Sequence, residues 1–416
     1  MLDHLRARCR HWLLLLRGEG VISLAIHLLS ALQRLTRRRG RSQKQRVDVV
    51  ARYDDILAAD PATPPPAWPG TDAARLQISW IMPPPGRGSG GHMTLFRFIK
   101  AAEDAGHSCT IYLYTAAPHG SIAAVREDMG TSFPALDAQM VWLDSPADFT
   151  GADAVVATSW ETAYASYRLP SSARRFYFVQ DFEPFFYPVG SLSALAENTY
   201  RFGFRGITAG AWLAGRLQDE YGMAADHFDF GSDPGVYPCS NAGPRREVAF
   251  YVRLTTERRG FEMGLMAMDL FHRRHPDYTI SLFGWDVAGY EIPFPYVNRG
   301  TLDVSELGAL YNRCAAVLVL SFTNMSLLPL ELLSAGAIPV VNDAPNNRMV
   351  SDNPHIAYAA GDPVSLAGAL SEVVSRPDLV TYARTASDSV QGASWEESGA
   401  AVVGILERET RRRSDG

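Results

Sequence analysis

Three guanidinium groups, Arg253, Arg258 and Arg259, fall just after the apolar run VAFYV and before a helical pattern that opens at Gly260. Guanidinium groups at a strand end can clamp a diphosphate bidentately and stabilise it as a leaving group without a metal. Arg258 reads equally well as a solvated turn residue, so Arg253 and Arg259 are the expected clamp. Glu331 sits in the segment SFTNMSLLPLELLSAGAIPVVND (321–343), inside a mostly apolar helix pattern. A carboxylate there needs a partner, which a ribose diol or an internal pairing would supply. Ser326 and the amides of Leu327 and Leu328 open that helix, where phosphate is favoured. Gly86, Gly88, Gly90 and Gly91 lie between a strand and a helix pattern. Their amides are placed for an anion or a sugar, unless the loop is simply flexible. Trp160 and Glu161 follow the run ADAVVATS, and Gln180, Asp181 and Glu183 follow RRFYFV. Both groups end strands, where ligands bind. Asp181 or Glu183 would bind hydroxyls or accept a proton. The aromatic run Phe182, Phe185, Phe186 and Tyr187 lines a sugar subsite or packs the core.

Two α/β series position these residues. The first runs from LQISWIMP (76–83) through a helix pattern at Met93 to Ala105, then CTIYLYT, AQMVWLD, ADAVVATS, RRFYFVQD and the region of RGITAG. The second restarts at VAFYVR near Glu247 and continues through YTISLFGW, SELGALYNRC, AAVLVLS, LPLELLSAG, AIPVVND and HIAYAA to a helix at DPVSLAGAL. Alternation of short apolar runs with helical periods implies parallel sheets. The 416-residue length suits two domains. The expected organisation is a basic segment 1–46, a Pro-rich linker 47–72 containing PATPPPAWPG, a first Rossmann-like domain 73–240, a second 241–394, and a C-terminal helix and tail 395–416. A ligand cleft would lie between the two domains.

The net charge of -6 hides an asymmetry, because the first fifty residues hold eleven Lys and Arg against three acids. That segment is therefore about +8 and the rest about -14. An acidic body argues against nucleic acid as partner. The apolar stretch HWLLLLRGEGVISLAIHLLSALQRL (11–35) is broken at Arg17 to Gly20, so neither half reaches the span of about twenty residues that crosses a bilayer. With its flanking arginines it reads as a basic amphipathic helix at the surface of a membrane, or alternatively as a helix packed on the body. Cys9, Cys109, Cys239 and Cys314 are scattered, without metal-ligand or disulfide spacing. Reduced thiols and a cytoplasmic location, peripheral on the inner face of the cell membrane, are expected.

The order of Arg253, Arg259 and Gly260, then LFGW, then GTLDVSELGALYNRCAAVLVLS, then the Glu331 segment resembles the C-terminal half of family-four retaining glycosyltransferases. FVQDFEPFFYPVGS (178–191) together with GSGGH is similar, more narrowly, to the WsaF-type rhamnosyltransferases. The resemblance covers residues 76 to about 400. It implies a GT-B fold of two facing Rossmann-like domains and metal-independent transfer from a nucleoside-diphosphate sugar with retention, UDP- or dTDP-linked, with rhamnose from dTDP-rhamnose as best guess. The acceptor would be a cell-surface glycan or lipid-linked saccharide. By position it places Arg253 and Arg259 on the diphosphate, Glu331 on ribose, Thr301 and Leu302 at the base, and Ser326 and Leu327 near phosphate. Gly90, Gly91, Trp285 and Thr323 complete the expected donor set. Asp181, Arg253 and Arg259 form the expected catalytic set, and Trp160, Glu161, Asp181 and Glu183 the acceptor set. The family's first acid of a Glu-x7-Glu pair would fall at Thr323, so that carboxylate is missing. A nicotinamide-dependent oxidoreductase or sugar epimerase would want G-x-G-x-x-G after the first strand, which GRGSGGH lacks. A non-catalytic sugar-binding protein is the other alternative, favoured by the acid missing at Thr323.

Overall fold

The computed structural model describes residues 51–60, 63–86, 89–130, 133–325, 327–348, 351–392 and 394–412. The expected amphipathic helix in 1–46 lies outside the described residues. After helix α1 (Tyr53–Ala58), the first domain runs β1 (Gln77–Met82), α2 (Gly90–Asp104), β2 (Ser108–Leu113), α3 (Ile122–Met129), β3 (Gln139–Trp142), β4 (Ala154–Ala157), α4 (Trp160–Arg168), β5 (Arg174–Val179), α5 (Ser191–Asn198), β6 (Arg205–Ala209), α6 (Ala211–Tyr221) and β7 (Ala225–Phe228). Its strands order as β3-β2-β1-β4-β5-β6-β7, and every pairing is parallel.

The second domain runs β8 (Glu247–Tyr251), α7 (Phe261–Arg274), β9 (Thr279–Phe283), β10 (Val297–Gly300), α8 (Val304–Arg313), β11 (Cys314–Val319), α9 (Leu328–Ser334), β12 (Ile338–Asn342), α10 (Pro345–Arg348), β13 (Ala357–Ala359), α11 (Pro363–Val374) and α12 (Leu379–Asp388). Its sheet is also parallel, ordered β10-β9-β8-β11-β12-β13. Each sheet reverses its direction of winding beside its first strand, between β1 and β4 and between β8 and β11. Ligands bind at the carboxyl edge of such switch points.

The central strands are apolar throughout because helices cover both faces: every residue of β4 and of β11 is buried. The strands that the sequence reading passed over, β7 and β10, lie at sheet edges. Of β7 only Phe228 is buried, and of β10 none is, so neither carries an apolar run that periodicity could detect.

Helix α7 packs unusually close to its sheet at Gly264, where an added Cβ would lie 2.0 Å from the Phe250 ring. The described residues of the segment 47–72, expected as a linker, are docked: Arg52 Nη1 donates to the Leu143 carbonyl at 2.5 Å, Asp55 accepts from Tyr114 at 2.9 Å, and Trp68 donates to the Thr410 carbonyl at 2.6 Å. The C-terminal helix α13 (Trp395–Arg411) returns to the first domain, where Val402, Val403, Ile405 and Leu406 join its core. The reason is amphipathicity: α13 brings an apolar stripe that α2 and β7 cover.

Candidate active site between the domains

The carboxyl edges of both sheets line one cleft of about 780 Å³. Its first-domain wall includes Gly90, Gly91, Trp160, Glu161, Asp181, Glu183 and Phe186. Its second-domain wall includes Arg253, Arg258, Arg259, Thr301, Leu302, Leu327 and Glu331. Most of the expected donor and acceptor residues therefore converge, although they come from six separate loops or helix starts.

The arginines arrive on a turn that glycine permits. After β8 the chain makes a short 3-10 turn, Glu257–Arg259, and exits at Gly260 with φ +58°. A Cβ there would lie 2.9 Å from the Phe322 ring and 3.0 Å from Leu320, so a side chain would be both strained and crowded. The three guanidinium groups differ. Arg253 is exposed, with its guanidinium carbon 6.0 Å from the Tyr251 ring centroid. Arg258, read as an equally good solvated turn residue, instead lies 4.0 Å over the Phe186 ring, with Nε 3.4 Å from Asp181 Oδ2. Arg259 is half-buried and its Nη1 donates to the Asn324 carbonyl at 3.5 Å. Burial lowers its pKa, and Asp181 opposes that fall.

Glu331 lies in α9 between the buried Leu330 and Leu332. Its one hydrogen-bond partner among the described residues is the Tyr311 hydroxyl, which donates at 3.5 Å. Burial pushes the carboxyl up to about 7, with Asp233 adding to the rise. A carboxylate has about four acceptor sites, so this one has capacity for a diol. The loop that carries Thr301 and Leu302 is held by the start of α8, where Asp303 Oδ1 accepts from the Glu306 amide at 2.9 Å and Glu306 returns the bond at 2.9 Å. That reciprocal cap fixes the loop leaving β10.

On the acceptor side, Glu183 is 5% exposed and accepts from the Trp160 amide at 2.7 Å and the Tyr177 hydroxyl at 2.8 Å. Burial, then Glu161, raises its pKa well above the carboxylate range. Its carboxyl group thus serves the start of α4 from within the domain. The Trp160 indole is 1% exposed and donates to Tyr187 at 3.0 Å, so the ring is core rather than an acceptor platform. Glu161 is half-buried, faces the cleft, and has its pKa raised by burial. Gly91 backs onto Gln180, whose Nε2 donates to its carbonyl at 3.2 Å. An added Cβ at Gly90 meets nothing within 4 Å, which leaves that helix start open.

Asp181, expected to bind hydroxyls or take a proton, already accepts three hydrogen bonds. Oδ1 accepts from the Phe182 and Asn324 amides at 2.8 Å each, and Oδ2 from the Thr323 hydroxyl at 2.9 Å. The bonds from Asn324 and Thr323, with Arg258 Nε 3.4 Å from Oδ2, tie the carboxylate to the second domain. Thr323, placed in the donor set, is 1% exposed and outside the cleft wall, because its hydroxyl is used on Asp181. Trp285 is 37% exposed and also outside the wall. Ser326 lies outside the described residues. The sequence reading missed Asn324, Tyr251 and Tyr311, which line the cleft. Tyr311 could be found only as the hydroxyl opposite Glu331; in sequence it reads as a core position of α8. Asn324 Nδ2 donates to the Gln180 and Ala209 carbonyls at 2.9 and 3.1 Å, while its Oδ1 is buried without a hydrogen-bond partner among the described residues. Leaving that oxygen unpaired costs about 1–3 kcal/mol, which the surrounding bonds must offset. Among the described residues no three His, Cys, Asp or Glu side chains gather as a metal-ligand set.

Residues 119–209 match the WsaF N-terminal domain family and residues 246–371 the WsaF C-terminal domain family, together more than half of the chain. The O-antigen biosynthesis protein RfbC of Myxococcus xanthus is 31% identical over 341 residues, which is 79% of this chain and 27% of that protein. The chain thus spans about a quarter of that relative's length. Among solved structures, HepE of Anabaena, in complex with UDP and glucose, superposes with a TM-score of 0.63 at 14% identity, covering 80% of this chain and 100% of that one. Sucrose-phosphate synthase from Thermosynechococcus elongatus gives 0.61 at 14% identity, covering 80% and 99%. These likenesses establish the fold, two parallel-sheet domains in the GT-B arrangement. With stretches of both domains matched to the corresponding WsaF domain, the chain belongs to the WsaF family and has the GT-B fold.

Proposed function

We propose that the protein transfers a sugar, with retention, from a nucleoside-diphosphate donor to a glycan or lipid-linked saccharide in cell-surface polysaccharide assembly. The observation that carries this reading is Glu331, a cleft-lining carboxylate with one long side-chain hydrogen bond, on the same second-domain wall as Arg253 and Arg259. A nucleotide offers the complementary set, a ribose diol for the acid and a diphosphate for the arginines. Thr301 and Leu302 are then the base-side wall, and Leu327 the amide nearest the phosphates. The diphosphate leaves toward Arg253 and Arg259, whose fixed charge stabilises the separating ions in a closed cleft. Glu161, the less engaged acid of the first-domain wall, binds an acceptor hydroxyl.

UDP in the HepE complex supports a pyrimidine nucleotide, and the O-antigen relative supports a surface-glycan acceptor. Rhamnose from dTDP-rhamnose is our choice of donor, on the family resemblance. Association of the basic N-terminal segment with a membrane surface belongs to the same proposal.

Thermal shift with UDP, dTDP, their sugar conjugates and NAD tests the pocket. A ligand at one hundred times its Kd stabilises by about 2.7 kcal/mol, so a bound nucleotide gives a clear rise in Tm, whereas NAD gives none. Arg253→Ala and Glu331→Ala should each lose most of that rise. Retention of the full shift by both variants would place the donor elsewhere.

A further inference from the structure

Asp181 belongs to the first domain, at the end of β5, yet two of its hydrogen-bond donors and its cationic neighbour come from the second. Asn324 N donates to Oδ1 at 2.8 Å, Thr323 Oγ1 to Oδ2 at 2.9 Å, and Arg258 Nε stands 3.4 Å from Oδ2. Asn324 Nδ2 returns two bonds to first-domain carbonyls, those of Gln180 and Ala209. The same Asn324 presents its own carbonyl to Arg259 Nη1. Behind it the loop is stiff, because Asn342 exchanges bonds with Ser321 at 2.8 Å in both directions and Asn347 donates to the Ser321 carbonyl at 3.0 Å.

We propose that Asp181 is an interdomain latch and a positioning residue: by holding the 321–325 loop of the second domain it sets Arg259 for the donor diphosphate. This rests on the nucleotide reading above and adds to it a reason for the residue at 323. A threonine hydroxyl can donate to Asp181, whereas an acid there would bring a second carboxylate to the same spot and repel it. The diphosphate site is therefore complete only when the domains are docked, and charge-assisted bonds of this kind are the stronger class.

The experiment uses the full chain, with UDP and dTDP as probes and uridine and thymidine as their phosphate-free counterparts. Asp181→Ala and Thr323→Glu should each weaken the nucleoside diphosphate about tenfold, near 1.4 kcal/mol, and leave the nucleoside within about twofold. Amide exchange across 321–325 should accelerate in both. Adding Asp181→Ala to Arg259→Ala should weaken UDP no further than Arg259→Ala alone, since the latch acts through that guanidinium. Unchanged UDP affinity with unchanged exchange overturns the latch, and so does a parallel loss of UDP and uridine, which signals general collapse. If Asp181→Ala does not fold, Thr323→Glu decides alone. If the wild-type chain binds neither UDP nor dTDP, the nucleotide reading fails, and the exchange of 321–325 still decides whether Asp181 holds the loop.

Discussion

At the residue scale, the cleft separates acids that have work inside the protein from one that does not. Asp181 accepts three hydrogen bonds and Glu183 two, whereas Glu331 keeps one long bond and is raised to about 7 by burial, with Asp233 adding. Between the ordinary carboxylate range and about 7 the folded chain holds a proton here that the unfolded chain has lost, so this group's contribution favours folding at low pH and disappears as pH rises through 7. Glu331→Gln, which resembles the protonated form, should therefore exceed wild type in denaturation midpoint at pH 8. The gap should close by pH 5. A gap of constant size across that range would show that Glu331 is not perturbed. That Arg253, Arg259, Gly90, Gly91 and Glu331 line the cleft was legible, because residue type and strand-end position suffice to place them there. The role of Asp181 was not, because its partner Thr323 lies 142 residues away and no local pattern encodes that meeting.

At the element scale, helices bring the site residues to the cleft only because they sit tightly on their sheets. Helix α7 follows directly on Arg259 and Gly260, and its contact with β8 depends on Gly264, where a Cβ would come within 2.0 Å of the Phe250 ring. Gly264→Ala must push either the ring or the helix, and overpacking of this kind costs about 1–3 kcal/mol. Urea denaturation should show that loss, together with weaker UDP binding as the arginine turn moves. A variant as stable as wild type would mean that Phe250 swings away freely. Runs such as AVVA and CAAVLV identify central strands at once. The edge strands β7 and β10 escaped because an edge is half-solvated and need not be apolar.

At the scale of the whole molecule, the chain crosses between its domains twice, once after β7 and again before α13, which completes the first domain. Arg97 of α2 stands where the crossings meet. Its Nη2 pairs with Asp233 Oδ2 at 2.6 Å, and its guanidinium lies 4.6 Å from the Trp395 ring centroid. Arg97→Ala should loosen the 229–246 segment and raise its native-state proteolysis several-fold. Arg246→Ala, which breaks an exposed pair with Asp277, serves as the control and should change nothing, because such pairs contribute about 0–1 kcal/mol. Equal cleavage rates for both variants would remove Arg97 from the hinge.

The amino-acid sequence alone determined the two parallel α/β layers and many of the residues that line the cleft between them. Those features follow from periodicity, from glycine at a strand-to-helix turn, and from charge placed where strands end. Only the tertiary structure decided how many hydrogen bonds each acid already accepts, that Arg258 faces the cleft, that segment 51–60 and α13 both belong to the first domain, and that Thr323 donates to Asp181. Each of these depends on contacts between distant positions, where hydrogen bonding and burial, not residue type, set what a side chain is free to do.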